Sequence, residues 1–415
     1  MASSTQTRPL ARVARLAGVV AFLALTPARA TPPASLIKIP DYSTSGNPTG
    51  IVRLPVDTDL RILQVFQSGT IVRAPSGRPM HMLIQRGVGP LEVIQARCAL
   101  EEVLAPVPGS AQGEDKGDIA EAIADAGAVF MLFRDERSIP NWRPGSLAGT
   151  KLGGMALLAN QIVPAGGRRY VEGERPDTSL SAAVRYVYEF GIVTARPEFA
   201  AKVEAALDDA LARGVVSDAL TDQFEREQAA SIYFSTAVEV YYDMWDGEPA
   251  GAARGVYGCT TREQMTQRDP AMLALIEGFF SPDRAGVTLV SPTLDGVFSM
   301  APDPDQPRWR QSSHDTNATL TGSRNGSIVG NARDNHLVGN DGNNTFTGAG
   351  GDDTIDAGLG NDLAIYRGPI GEYHVELQGK TLYVIDLADE RDGSDTLTGV
   401  ERVRFADVEI TTKPE

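Results

Sequence analysis

Histidine is scarce in this chain of 415 residues. The four histidines are His81, His314, His336 and His374, so none lies between residues 82 and 313. Imidazole is the commonest protein ligand of catalytic zinc and the commonest general base. A histidine-ligated zinc site therefore cannot be assembled from residues 82–313 alone.

Cysteine is also rare, since the chain has only Cys98 and Cys259. Two cysteines are a poor substitute for a histidine zinc site, and in an oxidising compartment they favour one disulfide. Two buried free thiols are the alternative, because a sequence cannot show that two residues meet. We expect the disulfide.

Basic residues are outnumbered by acidic ones, 38 to 54, which gives a formal net charge of −16. From Asp315 onward there are 18 acidic and 8 basic residues, so about the last quarter of the chain holds more than half of the excess. This balance favours cation binding and argues against a nucleic-acid partner, whose phosphates would be repelled.

Apolar runs long enough to cross a bilayer are absent. The longest apolar run near the start is Leu16–Leu25, which follows three arginines and precedes Ala28-Arg29-Ala30. This pattern is typical of a secretory signal peptide at residues 1–30, with the mature chain beginning near Thr31. A membrane anchor is the alternative, but ten apolar residues are too few to span a bilayer. We expect a secreted or cell-surface protein.

Glycine, asparagine and aspartate recur every nine residues from Gly330 to Ile365. The eighth place of each unit is apolar, at Ile328, Leu337, Phe346, Ile355 and Ala364. A strict nine-residue period predicts stacked turns, each followed by a short strand that points one large side chain inward. A parallel β-roll of this kind binds Ca²⁺ through the carbonyls and carboxylates of its turns.

These units resemble the haemolysin-type, or RTX, calcium-binding repeats of secreted bacterial proteins. The tail at Gly371–Ile410 resembles the strand-rich segment that commonly follows such repeats. The resemblance implies calcium as the bound ion and a bacterial extracellular location. RTX proteins usually leave the cell through an exporter that recognises their C-terminus, so the secretory leader leaves the export route open.

Candidate calcium ligands follow from the geometry of a β-roll, in which turns on one side are two units apart. Each ion would lie between residues 18 positions apart, and each such pair here has one carboxylate and one amide. We therefore expect modest affinity, roughly 10⁻⁴ to 10⁻³ M as in extracellular calcium modules. The alternative is a roll held by asparagine ladders with little calcium. The candidates are Asn335 with Asp353, Asn344 with Asp362, and the nearby Asp334, Asp341 and Asp352.

The chain upstream of the repeats indicates an α+β domain. Extended runs at 62–66 and 71–72 precede helical spacing at 91–104, a short helix at 119–126 and a buried strand at 128–133. Further helices begin at Pro197 and Pro270. We divide the chain into a signal peptide (1–30), an extended part (31–105) and a mainly helical part (106–285) of a central domain, a linker (286–318), the β-roll (319–366) and a C-terminal β-rich segment (367–415).

The order of elements in residues 60–285 resembles secreted bacterial zinc-metallopeptidase-like domains, distantly akin to the catalytic fold of anthrax lethal factor. The resemblance lies in the strand Phe130–Phe133, the turn Ile139–Trp142, the helices at Tyr188–Phe190 and Tyr233–Asp243, and the segment Thr261–Phe280. It implies a zincin-like fold.

In that family one helix carries His-Glu-x-x-His, in which the histidines bind zinc and the glutamate acts as general base. The matching residues here are Tyr188 to Ile192, and only Glu189 remains, while the family's third ligand falls at about Thr236. We therefore interpret the domain as a pseudoenzyme without zinc. Glu189 is a vestigial candidate, and an ordinary core or surface carboxylate is its simpler role.

Three functions remain open at this stage. The first is a secreted calcium-binding RTX-type protein whose inactive metallopeptidase-like domain binds a partner or serves a structural role. The second is an active secreted hydrolase or peptidase with an unrecognised site, and the third is a calcium-dependent surface-layer or adhesion component. Besides calcium ions, the candidate partners are a cell-surface or extracellular protein or a glycan.

Overall fold

The computed structural model describes residues 24–25, 39–139, 153–172, 177–248, 251–301 and 312–412. The predicted signal peptide lies outside these ranges except for Ala24–Leu25, as do Pro140 to Trp142 of the predicted turn. Two regions follow each other along the chain. A mixed sheet covered by helices comes first, and two facing sheets built mainly from parallel strands come second.

The first region contains a six-stranded mixed sheet. Its strands are β1 Ala24–Leu25, β2 Val52–Arg53, β3 Ser68–Arg73, β4 Pro79–Ile84, β5 Val129–Phe133 and β6 Gly154–Leu158, in the order β1-β6-β5-β4-β3-β2. Strands β4, β5 and β6 are parallel, and the outer strands are antiparallel to their neighbours. All five residues of β5 are buried, because both faces of the sheet are covered.

The helices of the first region contribute to the cores on both faces of this sheet. They are α1 Leu60–Leu63, α2 Pro90–Leu104, α3 Gly117–Ala126, α4 Arg168–Glu172, α5 Ser179–Val187, α6 Val193–Ala195, α7 Pro197–Ala212, α8 Ala219–Gln223, α9 Arg226–Tyr241, α10 Arg262–Arg268 and α11 Pro270–Glu277. Helix α7 begins at proline and ends before Gly214, as predicted. The strand predicted at 62–66 is wrong: the segment begins as α1, because the Asp59 side chain caps it by accepting the Arg61 N–H.

The second region is a parallel β-roll whose strands alternate between two sheets. One sheet contains β7 Arg284–Val290, β9 Asp315–Leu320, β11 His336–Val338, β13 Thr354–Asp356 and β17 Ser394–Thr398, with a hairpin of β15 Tyr373–Gln378 and β16 Thr381–Asp386 at its edge. The other contains β8 Val297–Ser299, β10 Gly326–Val329, β12 Asn344–Thr347, β14 Leu363–Ile365 and β18 Arg402–Arg404, with β19 Glu409–Thr411 at its edge.

The roll is longer than its nonapeptide repeats. The range 286–318, predicted as a linker, instead contributes most of β7, all of β8 and the first part of β9. That prediction is wrong because these coils pair in parallel with the repeats without carrying their glycine pattern. Downstream, β17 pairs with β13 and β18 with β14, so the C-terminal segment adds a further coil.

The core of the roll consists of two facing rows of inward side chains, one row from each sheet. The eighth-place residues Ile328, Leu337, Phe346, Ile355 and Ala364 are all buried, and Leu397 and Val403 continue the rows in the last coil. Ile328 lies beside Phe346, and Leu337 beside Ile355, at the 18-residue spacing that the period predicts.

A buried charge cluster joins the roll to the helical region. Arg284 at the start of β7 contacts Glu102 of α2 and Asp315 of β9, each with an N–O distance of 3.0 Å. Burial raises the pKa of both carboxyls, but Arg284 lies between them and supplies a positive charge to each. The two regions are therefore joined by a buried ionic contact. Separating the regions would expose these charged groups to water or leave them without a partner.

Both cysteines are free thiols, so the predicted disulfide is wrong. Cys98 is half-buried on α2 beside Arg97 and Glu101, whereas Cys259 is buried beside Tyr257 and Arg268. The two cysteines have different charged neighbours because they lie in different parts of the helical region. Among the described residues, no helix is both long and apolar enough to cross a membrane.

The rows of core residues give a direct test of the roll. Replacing the fully buried Phe346 by alanine removes its contacts with Ile328 and leaves a cavity, so we expect a loss of about 3–5 kcal/mol in the free energy of unfolding of the roll, measured by urea denaturation. Leu359→Ala is the matched control, because Leu359 is 69% exposed and its loss should change stability by less than about 0.5 kcal/mol. Equal losses in the two variants would contradict this packing.

Candidate calcium-binding turns

Turns on one side of the roll carry most of its buried negative charge. They precede β11, β13 and β17, and we call their five aspartates the acidic column: Asp334, Asp352, Asp353, Asp392 and Asp395. Turns on the other side precede β10, β12 and β14, and we call their three stacked asparagines the asparagine column: Asn325, Asn343 and Asn361.

The acidic column is built as a ladder of side chains that accept backbone N–H groups. The Asp353 carboxylate accepts the Asn335 N–H at 2.8 Å, and Asp395 accepts the Asp353 N–H at 2.9 Å. One place earlier along the chain, Asp334 accepts the Asp352 N–H at 2.8 Å. The stacked turns are thus joined in register, and each new coil places a carboxylate over the one before it.

The opposite side repeats this arrangement with mostly neutral groups. Asn325 accepts the Asn343 N–H, and Asn343 accepts the Asn361 N–H, both at 2.9 Å. The sixth-place ladder on this side runs from the Asn344 N–H to Asp362 at 2.7 Å and from the Asp362 N–H to Glu401 at 2.8 Å.

The predicted ligands occupy different positions in these ladders. The four sixth-place residues Asn335, Asn344, Asp353 and Asp362 are all buried, and each predicted pair is stacked through a backbone N–H. Asp334 and Asp352 lie next to them in the acidic column. Asp334, Asp341 and Asp352 are all exposed, and Asp341 lies on the side of the asparagine column.

The two carboxylates of the column that are both buried and stacked, those of Asp353 and Asp395, are hard to ionise. Burial, followed by repulsion from Asp395, raises the pKa of Asp353 to about 8. Burial also raises the pKa of Asp395 to about 7, with repulsion from Asp392 and Asp352 adding to it. A cation beside these groups would reverse both effects, because it favours the charged form.

The donor set fits calcium, provided that backbone carbonyls take part. Asp353 is 1% exposed, and its Oδ2 atom has no hydrogen-bond partner among the described residues. Such an oxygen is costly to bury without a donor or a cation. Within the described ranges no three His, Cys, Asp or Glu side chains converge on one point, so carboxylates alone do not form a cage. Calcium accepts six to eight oxygen ligands and commonly uses turn carbonyls.

The sequence pattern missed the acidic residues of the last coil, Asp392, Asp395 and Glu401. A signal was available, because Asp395 stands two places before the buried Leu397 just as Asp353 stands two places before Ile355. The signal is weak because Glu390, Arg391 and Asp392 replace the small residues of a repeat turn.

The other predicted site residue, Glu189, lies in the helical region. It belongs to a π-helical turn, Tyr188–Ile192, that continues α5 and packs against α3, while the Tyr188 ring lies beside Phe234 of α9. Its Oε1 atom accepts hydrogen bonds from Arg185 at 3.0 Å and from Ser231 at 2.7 Å. The glutamate is therefore held in a buried ion pair.

The residues that flank Glu189 at the two expected histidine positions, Tyr188 and Ile192, are both buried core side chains. The Thr236 hydroxyl, at the expected third position, donates to the Ile232 carbonyl of its own helix at 2.7 Å. These three side chains offer a metal no imidazole and no carboxylate.

Comparison with known proteins bears on the roll. Residues 329–364 match the family model of the RTX calcium-binding nonapeptide repeat in four copies. Among solved structures, the extracellular lipase LipA from Serratia marcescens is 23% identical over 20% of this chain and 15% of the lipase chain, with a TM-score of 0.12. The matched part of this chain thus spans a small part of the lipase. The comparison with curated proteins finds no match. Residues 329–364 are RTX calcium-binding nonapeptide repeats.

Proposed function

We propose that this chain is a secreted bacterial calcium-binding protein in which the ion orders the β-roll and the metallopeptidase-like region serves a binding or structural role without catalysis. The observation that carries the proposal is the buried Asp353, which has an oxygen without a hydrogen-bond partner inside a column of like charges. Because Asp353 lies within the residues that match RTX calcium-binding repeats, we expect the bound cation to be calcium.

Calcium, when bound, would supply positive charge, and the oxygen atoms of the turns would coordinate it. The protein's own residues supply the rest: Asp353 and its ladder neighbours hold carboxylates in register, and the turn glycines let the backbones approach closely. Because the uncompensated carboxylates repel one another, the roll is expected to be looser at low calcium, as inside a cell, and firmer outside it.

The non-catalytic role of the helical region is supported by what surrounds Glu189. Its carboxylate contacts a buried arginine, and the neighbouring α9 residue Glu239 also pairs with an arginine, Arg254, at 2.7 Å. Both of these buried glutamates are thus paired with an arginine. A general base must lie within hydrogen-bond reach of the proton that it abstracts, and these carboxylates instead contact other core side chains.

Calcium titration of the full chain tests the calcium-binding role. With a dissociation constant of roughly 10⁻⁴ M, about 10 mM calcium should stabilise the folded roll by about 2.7 kcal/mol, and chelation should reverse the effect. Circular dichroism and thermal unfolding measure the change. Magnesium at the same concentration is the control, because it prefers a smaller octahedral site with retained waters. No change in either measurement up to about 10 mM calcium would rule out the role.

Metal analysis and a single variant test the non-catalytic role. We expect the purified protein to contain no stoichiometric zinc, and Glu189→Gln to leave any hydrolysis of peptide substrates at the background level of the unaltered chain. Ser231→Ala is the matched control, because it removes a hydrogen bond to the same carboxylate without removing its charge. Bound zinc together with peptidase activity that Glu189→Gln abolishes would establish the alternative, an active peptidase.

A further inference from the structure

The C-terminal coil, although it lies outside the four repeats, completes the acidic side of the roll. Strand β17 pairs in parallel with β13, so that Leu397 lies beside Ile355 and Asp395 comes into the same ladder as Asp353. Gly393, in the left-handed region at φ 73°, lets this turn lie directly on the Gly351 carbonyl of the turn before it.

The turns of the first two repeats are closed by their own asparagines. The Asn335 Oδ1 atom accepts the Asn331 N–H at 2.8 Å, while the Asn335 amide donates to Asn331 Oδ1 at 3.0 Å. The Asn331 amide in turn donates to the Asp315 carbonyl at 2.8 Å. The side-chain oxygens that would have to coordinate a cation in this turn therefore already accept hydrogen bonds.

The second repeat has the same closure. Asn344 Oδ1 accepts the Asn340 N–H at 2.8 Å, and the Asn344 amide donates to Asn340 Oδ1 at 3.1 Å. The Asn340 amide also donates to the Arg324 carbonyl at 3.0 Å. The sixth-place side chains of both turns are neutral amides that already make hydrogen bonds, so a cation would have to displace those bonds.

The turn before Asp353 is built differently. Ala349 has a φ of 81°, a backbone conformation that residues with a side chain rarely adopt, and Gly351 has a φ of 99°. In this turn no donor among the described residues reaches Asp353 Oδ2, whereas the corresponding Asn335 oxygen accepts an N–H. The turn thus leaves a buried oxygen where the first two repeats satisfy theirs.

The arginines around the acidic column do not neutralise this oxygen. Arg333 pairs with Asp283, and Arg391 pairs with Glu372 and Asp386. Arg367 contacts Asp392 at 2.6 Å, at the edge of the column. Among the described residues, these ion pairs therefore leave Asp353 and Asp395 without a cationic partner.

We propose that the roll has one principal calcium site on its acidic side, formed by the turn at 349–353 and the turn at 391–395, with the carboxylates of Asp353 and Asp395 and with turn carbonyls as ligands. The C-terminal coil thus supplies one of the two carboxylates from outside the repeats. The turns at 331–335 and 340–344 bind no calcium of their own. This inference rests on the proposed calcium-binding function.

Calorimetric calcium titration of the full chain tests the site with two matched variants. Asp395→Asn removes one ligand charge while its amide oxygen can still accept the Asp353 N–H, and we expect affinity to fall by about tenfold or more. Asp341→Asn removes one exposed charge from the asparagine side, and affinity should stay within about twofold. The unaltered chain should bind close to one ion.

The outcomes separate this inference from the function on which it rests. If the unaltered chain binds no calcium, both fail. If it binds calcium and Asp395→Asn leaves affinity unchanged, or if Asp341→Asn weakens it as much as Asp395→Asn does, the site is elsewhere in the roll and only the inference fails. Circular dichroism of Asp395→Asn without calcium checks folding, and we expect a roll at least as stable as the unaltered one because a buried repulsion has been removed.

Discussion

Stacking is the constraint on which this structure depends. A nine-residue period places each side chain beside its counterpart 18 positions away, so one choice of residue is repeated along a whole column. Apolar residues in such a column form a continuous core, and asparagines form a ladder in which each carbonyl accepts the next N–H. Aspartates form the same ladder, but their negative charges lie close together and repel one another. The same geometry that makes the roll regular therefore concentrates like charge on its acidic side, and we propose that a cation stabilises this side.

The roll is anchored at its N-terminal end. Arg284 is buried between Glu102 and Asp315, and His314 contacts Asp243 of the helical region at 2.8 Å. Arg333 of the first repeat donates to the Ser313 carbonyl at 3.0 Å. The coils nearest this joint are those whose turns are closed by asparagine. Stability without calcium should thus be concentrated near the helical region, with dependence on calcium increasing toward the C-terminus.

The sequence predicted the repeating part of the roll well because periodicity is a local property. Five eighth-place residues, from Ile328 to Ala364, were assigned to the interior and all are buried. The coils at 284–320 and 392–404 could not be predicted in this way, because they join the sheets without the glycine pattern. The disulfide prediction was wrong because pairing depends on distance between Cys98 and Cys259, which sequence does not contain. The strand predicted at 62–66 was wrong because a single cap at Asp59 outweighed β-branched composition.

We propose above all that calcium orders the acidic side of the roll. Hydrogen–deuterium exchange of the full chain with and without calcium tests it most directly, because it reports opening of backbone hydrogen bonds residue by residue. We expect calcium to slow exchange at the amides of Asp353 and its neighbours and across 391–398, while the amides of Asn331 and Asn340, which are bonded to their own turns, change little. Equal slowing at all four turns, or none at Asp353, would contradict it.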